Sequence, residues 1–304
     1  MYTYTRLNQV YNSSETILFD DNSKFVFFSD CHRGDGSKAD NFIKNRDIYL
    51  YSLKHYYEKD FTYIELGDGD ELWENDHFSD LFKTHVEVYL LLQKFYINKR
   101  LYMIWGNHDV FKSSRSYVKN TLNQFYDYTA KCYKALYRGI EINEGLILHY
   151  KNTPYRIFVI HGHQGDILDD VFWPFSRFLV RHFWRLFEIL KYNKCINTTK
   201  RKERMIAVQS NIKRWSKNNK KMIIAGHTHK SAFPAPGQIP YFNDGCCINK
   251  GYITCIEIQD GCIMLVKWAR HMGSNRVASI RREVMAGPKK IEDYFRDNNL
   301  FEKK

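Results

Sequence analysis

The sequence predicts an α/β protein in which the strands of a sheet alternate with helices. Five short apolar runs, rich in β-branched or aromatic residues, have the composition of buried strands, and helix-length stretches separate the earlier ones. The runs cover residues 25–29, 61–66, 101–105, 156–160 and 222–225. Each run ends in a cluster of polar residues, so the predicted sheet carries these side chains along one rim.

The first half of the chain has the alternating pattern. Residues 1–24 are polar, and we expect them to form a short edge element or an ordered arm. A helix over about residues 39–59 follows the first strand, and a helix over about residues 76–98 follows the second. Strands that alternate with helices of this length indicate a sheet with crossover connections.

The second half changes to paired strands. Two antiparallel pairs are predicted, residues 140–150 with 155–160 and residues 253–259 with 262–268. The segments Asn152-Thr153-Pro154 and Asp260-Gly261 supply the two turns, and both have the composition of tight turns.

The chain has no internal repeat and no low-complexity linker. We therefore predict a single domain over residues 1–304, with a core of about residues 25–268. An insert at residues 167–220 lies between the fourth and fifth clusters, and residues 271–304 form a basic tail.

Composition limits the partner and the compartment. In 304 residues, 44% are apolar, enough for a substantial core. The net charge of +12 favours an anionic partner such as a phosphate ester, a nucleic acid or an acidic lipid surface, although a lysine-rich solvated exterior gives the same total.

The seven cysteines form no CxxC pair and the amino terminus has no secretory leader, so we expect reduced thiols in a cytoplasmic protein. No stretch approaches a membrane span, so we expect a soluble protein or one peripheral on the inner face of the membrane.

The five polar clusters carry the residue types that bind divalent metals, because carboxylate and amide oxygens combined with imidazole nitrogens are typical of such sites. The clusters are Asp30-Cys31-His32, Gly67-Asp68-Gly69-Asp70-Glu71, Gly106-Asn107-His108-Asp109, His161-Gly162-His163 and Gly226-His227-Thr228-His229. Their order and their shared position at strand ends predict a metal-dependent hydrolase.

Each residue type has a role in a two-metal site. Asp30 and His32 can turn toward one cation, and Asp68 is the natural carboxylate to bridge two. Asn107 supplies a neutral oxygen. The nitrogen ligands are His161, His227 and His229. His108 lies beside a ligand, where it can hydrogen-bond a phosphoryl oxygen or protonate the leaving group.

Together these motifs resemble those of the calcineurin-like metallophosphoesterase superfamily over about residues 25–268. The resemblance implies a four-layer α/β/β/α sandwich with a dinuclear centre of manganese, iron or zinc. It also implies a ligand set, with Asp30, His32 and His229 on one metal, Asn107, His161 and His227 on the other, and Asp68 bridging them. His108 would be the acid or the phosphate-binding residue.

Within the superfamily, residues 161–166 (HGHQGD), residues 226–230 (GHTHK) and the aromatic, basic insert resemble the UDP-diacylglucosamine pyrophosphatase branch. Enzymes of that branch use an inserted helical cap to hold acyl chains. This resemblance implies a small phosphorylated substrate that is lipid-like or a nucleotide sugar. The chain departs from the branch at His108, where the branch usually has arginine.

The insert allows two interpretations. Arg177, Arg181 and Arg185 recur every four residues in an apolar stretch, so a helix over residues 172–190 would carry them as one cationic stripe. The stripe is either a solvated edge of a helical hairpin packed on the sheet or part of a lid that binds substrate phosphate. In the lid, the aromatic residues would contact a lipid-like tail or a membrane; they are Trp173, Phe175, Phe183 and Phe187.

Some residues remain ambiguous from sequence alone. His163 could replace His161 as a ligand, but His161 directly follows its strand. Asp70 and Glu71 either orient a ligand histidine or lie exposed in a loop. Strand alternation directs Cys31 away from the site, and the pair at residues 246–247 has no zinc-ligand spacing, so we expect these cysteines in the core.

Three functions are compatible with this sequence. The first is a dinuclear-metal phosphatase or pyrophosphatase. The second, motivated by the positive charge, is a nuclease or cyclic-nucleotide phosphodiesterase. The third is a non-catalytic scaffold, which the complete set of expected ligands disfavours.

Overall fold

The computed structural model describes residues 2–180, 198–272 and 278–296. The helices are α1 (Tyr2–Ser13), α2 (Arg46–Glu58), α3 (Phe78–Thr84), α4 (Val86–Ile97), α5 (Arg115–Thr121), α6 (Ile167–Asp170), α7 (Trp173–Leu179), α8 (Thr198–Asn219) and α9 (Asp293–Arg296). The strands are β1 (Glu15–Phe19), β2 (Phe25–Phe28), β3 (Thr62–Leu66), β4 (Leu101–Ile104), β5 (Gln124–Asp127), β6 (Cys132–Ala135), β7 (Ile142–Asn143), β8 (Gly145–Tyr150), β9 (Arg156–Ile160), β10 (Met222–Ala225), β11 (Tyr241–Asn243), β12 (Tyr252–Gln259), β13 (Cys262–Met272) and β14 (Ala278–Lys290).

Two sheets form the centre of the molecule. The seven-stranded sheet has the order β14-β13-β12-β2-β3-β4-β7, and the five-stranded sheet has the order β1-β8-β9-β10-β11. Strands β2, β3 and β4 are parallel neighbours, as the crossover pattern predicts. Strands β8 and β9 are antiparallel, and so are β12 and β13, which confirms both predicted pairs.

The sheets stack face to face and helices cover both outer faces. In β2, Phe25 and Phe27 lie between the sheets, whereas Val26 and Phe28 pack under α2 and α4, as the alternation of a strand requires. On the other side, α1 and α8 cover the five-stranded sheet through residues such as Leu7. This is the four-layer α/β/β/α sandwich that the resemblance implied, with one apolar layer between each pair of neighbouring layers.

The amino-terminal segment differs from the prediction. Residues 2–13 form helix α1, and only β1 corresponds to the expected edge element. Leu7 and Val10 are the buried residues of this helix, too few to give a helical pattern in sequence. The helix is therefore stabilised by its packing on α8 and β8 rather than by its own propensity.

The predicted helix at residues 76–98 is two helices, α3 and α4, separated at His85. The backbone of His85 departs from helical geometry, with φ −118° and ψ 31°, and its buried side chain bonds Asp40 over 2.9 Å. This inward contact interrupts the helix, and the sequence offers no signal for it.

The insert begins with α6 and α7 and ends with the basic helix α8. Residues 181–197 lie outside the described part of the chain, so most of the helix predicted over residues 172–190 does too. In the segment assigned to a basic tail, residues 278–290 form the edge strand of the seven-stranded sheet. No helix among the described residues has the length and apolar character needed to cross a membrane.

Candidate metal centre

The predicted ligands lie where the two sheets meet. After β2 and β3, the backbone N–H of Asp30 donates to the Gly67 carbonyl (3.1 Å) and that of His32 donates to the Asp68 carbonyl (2.9 Å). The N–H of His227, which follows β10 in the other sheet, donates to Asp30 Oδ2 over 2.8 Å. These bonds hold the strand ends of both sheets against each other.

Five predicted ligands have a backbone conformation that is rare for residues other than glycine. Their φ angles are 50° at Asp30, 47° at His32, 49° at Asp68, 66° at His227 and 55° at His229. Such left-handed residues cost energy and concentrate at functional sites. Here the conformation turns each side chain out of the strand direction and into the space between the sheets.

The first ligand group consists of Asp30, His32 and His229, whose ligand atoms lie within 4.8 Å of one another. His229 Nε2 is 3.0 Å from Asp30 Oδ1, and His32 Nε2 is 3.3 Å from His229 Nε2. His32 Nδ1 is bonded to Glu71 Oε2 over 2.7 Å, which leaves Nε2 directed at the site. This group matches the ligand set predicted for one metal.

The second ligand group consists of Asp68, His161 and His227, again within 4.8 Å. His161 Nε2 lies 3.2 Å from Asp68 Oδ2, and its Nδ1 is bonded to the Leu66 carbonyl over 2.8 Å. Asp68 Oδ2 also lies 3.9 Å from His32 Nε2 in the first group. Asp68 is therefore between the two groups, in the position predicted for a bridging carboxylate.

Two buried atoms show that the residues fit a metal centre. Asn107 Oδ1 and His227 Nε2 have no hydrogen-bond partner within the described part of the chain. An unpaired buried polar atom costs about 1–3 kcal/mol, and a divalent cation would satisfy both kinds of atom. The donor set of imidazole, carboxylate and amide suits manganese, iron or zinc and does not select one of them.

Protons compete with metals at this centre. Burial acts to lower the pKa of His161, but the charges of Asp68 and Asp30 outweigh it and raise the pKa to about 9. Burial acts in the opposite sense on Asp68, yet the cations of His161 and His108 lower its pKa. In the metal-free centre, protonated histidines therefore face ionised carboxylates. A metal ion must displace the histidine protons in order to bind.

His108 is held beside the two groups by three contacts. Its Nδ1 bonds Glu71 Oε1 over 2.8 Å, and its ring stacks on Trp73 at a centroid distance of 4.1 Å. The His32 ring meets it edge-on at 4.6 Å. Burial opposes protonation of His108, but Glu71 and Asp68 raise its pKa, which favours the imidazolium form. Glu71 thus orients two histidines and is not an exposed loop residue.

A buried ionic network lies beneath the loop that carries Asp68. Arg33 donates to both oxygens of Glu65 (2.8 and 3.0 Å) and to Asp70 (2.7 Å). Lys112 reaches Asp70 at 2.8 Å and Asp109 at 2.7 Å. Asp70 is therefore a member of this network. Arg33, Glu65 and Lys112 were not predicted, because an isolated basic residue or a strand glutamate gives no signal of an ionic partner distant in sequence.

His163 and the cysteines at positions 31, 246 and 247 lie outside the two ligand groups. The His163 ring centroid is 5.6 Å from that of His161, and His163 belongs to neither ligand group. Cys31 and Cys247 are buried in the core beneath α2, and Cys246 is buried as well, in agreement with the prediction.

Arg177 is the one residue of the predicted stripe that the structure describes, since Arg181 and Arg185 lie outside the described residues. Its guanidinium lies 3.3 Å from Asp76 and 4.7 Å from the ring centroid of Phe111. Trp173 also contacts Phe111, at 5.6 Å between centroids. The start of α7 is thus anchored next to the loop that carries His108.

Comparison with known proteins identifies the family. The model of the calcineurin-like phosphoesterase family matches residues 23–231, which is more than half of the chain. The chain therefore belongs to the calcineurin-like phosphoesterase family, a class of metal-dependent phosphoester hydrolases. No curated protein matches the sequence.

Solved structures include distant matches. Vps29 from Chaetomium thermophilum is 9% identical, with 86% of this chain and 96% of that chain covered and a TM-score of 0.37. A cold-active protein tyrosine phosphatase from a psychrophilic Shewanella species is 11% identical, with 90% and 83% covered and a TM-score of 0.38.

Proposed function

We propose that this chain hydrolyses a phosphate ester or pyrophosphate bond with two divalent ions of manganese, iron or zinc. The observation that carries the proposal is the position of Asp68 between two ligand groups. Asp30, His32 and His229 would hold one ion, and Asn107, His161 and His227 the other. Such a pair of ions supplies a nucleophilic water at neutral pH and neutralises charge on the phosphoryl group.

His108 would act as the general acid or bind a phosphoryl oxygen. Its Nδ1 is held by Glu71, so Nε2 is the atom that can donate to the substrate. Glu71 and Asp68 raise the pKa of His108 against the effect of burial, which favours the protonated ring that an acid needs. Trp73 restricts the ring to one plane through the stacking contact, so the donor keeps its direction.

An amphiphilic phosphate ester or pyrophosphate is the substrate class that the insert favours. Helices α6 and α7 expose apolar side chains close to the metal centre, and Phe175 is 62% exposed. The exposed apolar residues are Ile167, Leu168, Val171, Phe172, Phe175 and Phe178. This surface and the sequence resemblance to the UDP-diacylglucosamine pyrophosphatase branch support a lipid-linked substrate. A protein that takes such a substrate would work at the cytoplasmic face of a membrane.

Two arginines of the described part of the insert already have acidic partners. Arg177 is paired with Asp76, and Arg204 of α8 is paired with Asp166 (2.6 Å) and Asp169 (2.8 Å). Their charges are therefore already compensated. The apolar surface, rather than a free cationic stripe, is the part of the described insert that would distinguish a lipid-like substrate from a soluble one.

Assays on two substrates test the phosphoester hydrolysis and the lipid-linked substrate separately. The manganese-loaded chain is assayed on bis(4-nitrophenyl) phosphate and on a lipid-linked pyrophosphate in detergent micelles. Asp68→Ala should abolish both activities. Phe175→Ser should reduce only the micellar activity, and the control Tyr128→Ser, at an exposed aromatic residue outside the insert, should reduce neither. Equal loss of both activities in Phe175→Ser would contradict the lipid assignment, and steeply salt-dependent cleavage of polynucleotides would favour the nuclease.

A further inference from the structure

A third group of potential metal ligands lies beside the candidate centre. Its members are Glu144, between β7 and β8, His163, in the turn after β9, and Asp170, at the end of α6. Their ligand atoms lie within 4.8 Å of one another. The group shares no residue with the two groups around Asp68, and the function proposed above does not use it.

His163 is the unusual member of this group. The residue is 1% exposed, and neither ring nitrogen has a hydrogen-bond partner among the residues that the structure describes. Its Nε2 lies 3.8 Å from Asp170 Oδ1, which is longer than a hydrogen bond. A buried imidazole without a partner is costly, so this ring is directed at a position that a ligand would have to fill.

The carboxylates of Glu144 and Asp170 are held by hydrogen bonds from α1 and from Gln164. Arg6 of α1 donates to Glu144 Oε1 and, over 3.1 Å, to Asp170 Oδ2. Gln164 donates to Glu144 Oε1 over 3.2 Å, and the Tyr2 hydroxyl donates to Asp170 Oδ2. These donors engage mainly one oxygen of each carboxylate, as the outer partners of metal-bound carboxylates do.

The charge balance of the group favours a cation. Two carboxylates and one guanidinium leave one negative charge in a largely buried cluster. A bound cation would offset this charge, and the His163 ring, which is unpartnered among the described residues, would supply it with a nitrogen ligand.

We propose that Glu144, His163 and Asp170 form a third divalent cation site. One imidazole and two carboxylates form a mixed nitrogen and oxygen set that suits zinc or manganese, with room for water as a further ligand. The ion would join the turn after β9 to the start of the insert and, through Arg6 and Tyr2, to α1. This proposal does not depend on the reaction at the Asp68 centre, and the competing occupant is a buried water molecule.

Metal content tests the site without an activity assay. The full chain is loaded with Mn²⁺ or Zn²⁺, freed of excess metal by gel filtration and analysed by plasma mass spectrometry. We expect three equivalents per chain, two in His163→Phe, which keeps a similar ring volume, and three in the control His149→Phe. The difference of one equivalent reports the third site whatever the Asp68 centre holds, so an equal metal content in the unchanged protein and in His163→Phe would overturn the proposal.

A crystal of the unchanged protein covers the case in which His163→Phe fails to fold. Anomalous difference density should show a metal peak about 2.0–2.2 Å from a His163 nitrogen and from oxygens of Glu144 and Asp170. Density for a water molecule at that position, without an anomalous signal, would overturn the proposal. A chain that fails to cleave any phosphoester would still give a clear result in both measurements.

Discussion

Glu71 is the residue through which the candidate centre and the candidate acid depend on each other. One oxygen accepts from His32 and the other from His108, so a single carboxylate fixes a metal ligand and a proton donor at the same time. Burial acts to raise the pKa of Glu71, but the charges of His108 and His32 lower it to about 2. The carboxylate therefore stays ionised at every pH at which the centre can bind metals.

Replacing His108 by alanine should separate chemistry from metal binding. We expect the metals to stay bound, because His108 belongs to neither set of predicted ligands, while turnover falls by roughly ten- to ten-thousand-fold. The loss should be largest on an alkyl phosphodiester, whose poor leaving group needs a proton, and smallest on bis(4-nitrophenyl) phosphate. Steady-state rates and metal content are the measurements. Full activity of His108→Ala on the alkyl substrate would show that the assigned role is wrong.

Metal binding should release protons. The pKa of His161 is raised to about 9 and that of His32 is raised well above the usual value, so both rings carry a proton at pH 7 in the metal-free chain. Both must lose the proton that faces the ion in order to bind it. The apparent affinity for Mn²⁺ should therefore rise as the pH is raised from about 7 to 9.

Calorimetric titrations in two buffers of different ionisation enthalpy measure this effect. We expect at least one proton released for each chain that is loaded at pH 7. An affinity and a binding enthalpy independent of pH and of buffer would contradict the protonation state that we assign to these histidines.

Among the elements, the loops after β3 and β4 are joined by the side chain of Asp109. Its carboxylate accepts from the backbone N–H groups of Gly106 (2.7 Å) and Gly69 (3.2 Å), and it pairs with Lys112. Gly106 has no room for a side chain, since an added Cβ would lie 2.2 Å from Asp68 Oδ1. The close approach of the two loops is what brings Asn107 and Asp68 to the same place.

Asp109→Ala should therefore weaken the fold and the centre together. The change leaves the Lys112 ammonium buried without this partner, and the free energy of unfolding should fall by about 3–5 kcal/mol. The variant Asp109→Asn is the matched control and should be less destabilised, because its amide oxygen can still accept from the backbone N–H groups of Gly106 and Gly69. Urea unfolding measures both. Equal stabilities of Asp109→Ala and the unchanged protein would contradict this role.

The same elements show what a sequence can predict. The strands before each polar cluster were predicted within about one residue, because a buried strand next to a polar turn has a distinct pattern. Helix α1 was missed because its burial depends on α8, which is distant in sequence. The interruption at His85 was missed because Asp40 lies 45 positions away. Arg33, Glu65 and Lys112 were missed for the same reason. The positions of the candidate ligands stood out in the sequence, and Glu71 as a partner of a ligand histidine was one of two alternatives.

At the scale of the whole molecule, the candidate centre joins the two sheets. The segments after β2, β3 and β4 supply Asp30, His32, Asp68 and Asn107 from the seven-stranded sheet, and those after β9 and β10 supply His161, His227 and His229 from the five-stranded sheet. Each predicted metal has ligands from both. The pattern predicted a common rim, but the division into two sheets came only from the resemblance, since strand pairing between distant segments leaves no local signal.

The central claim is that two ions share Asp68. A crystal grown with Mn²⁺ and measured at the manganese absorption edge tests it most directly. We expect two anomalous peaks about 3.5–4 Å apart, both in contact with the Asp68 carboxylate, one with Asp30, His32 and His229 and the other with Asn107, His161 and His227. A single peak at this centre, or two peaks of which only one contacts Asp68, would contradict the account.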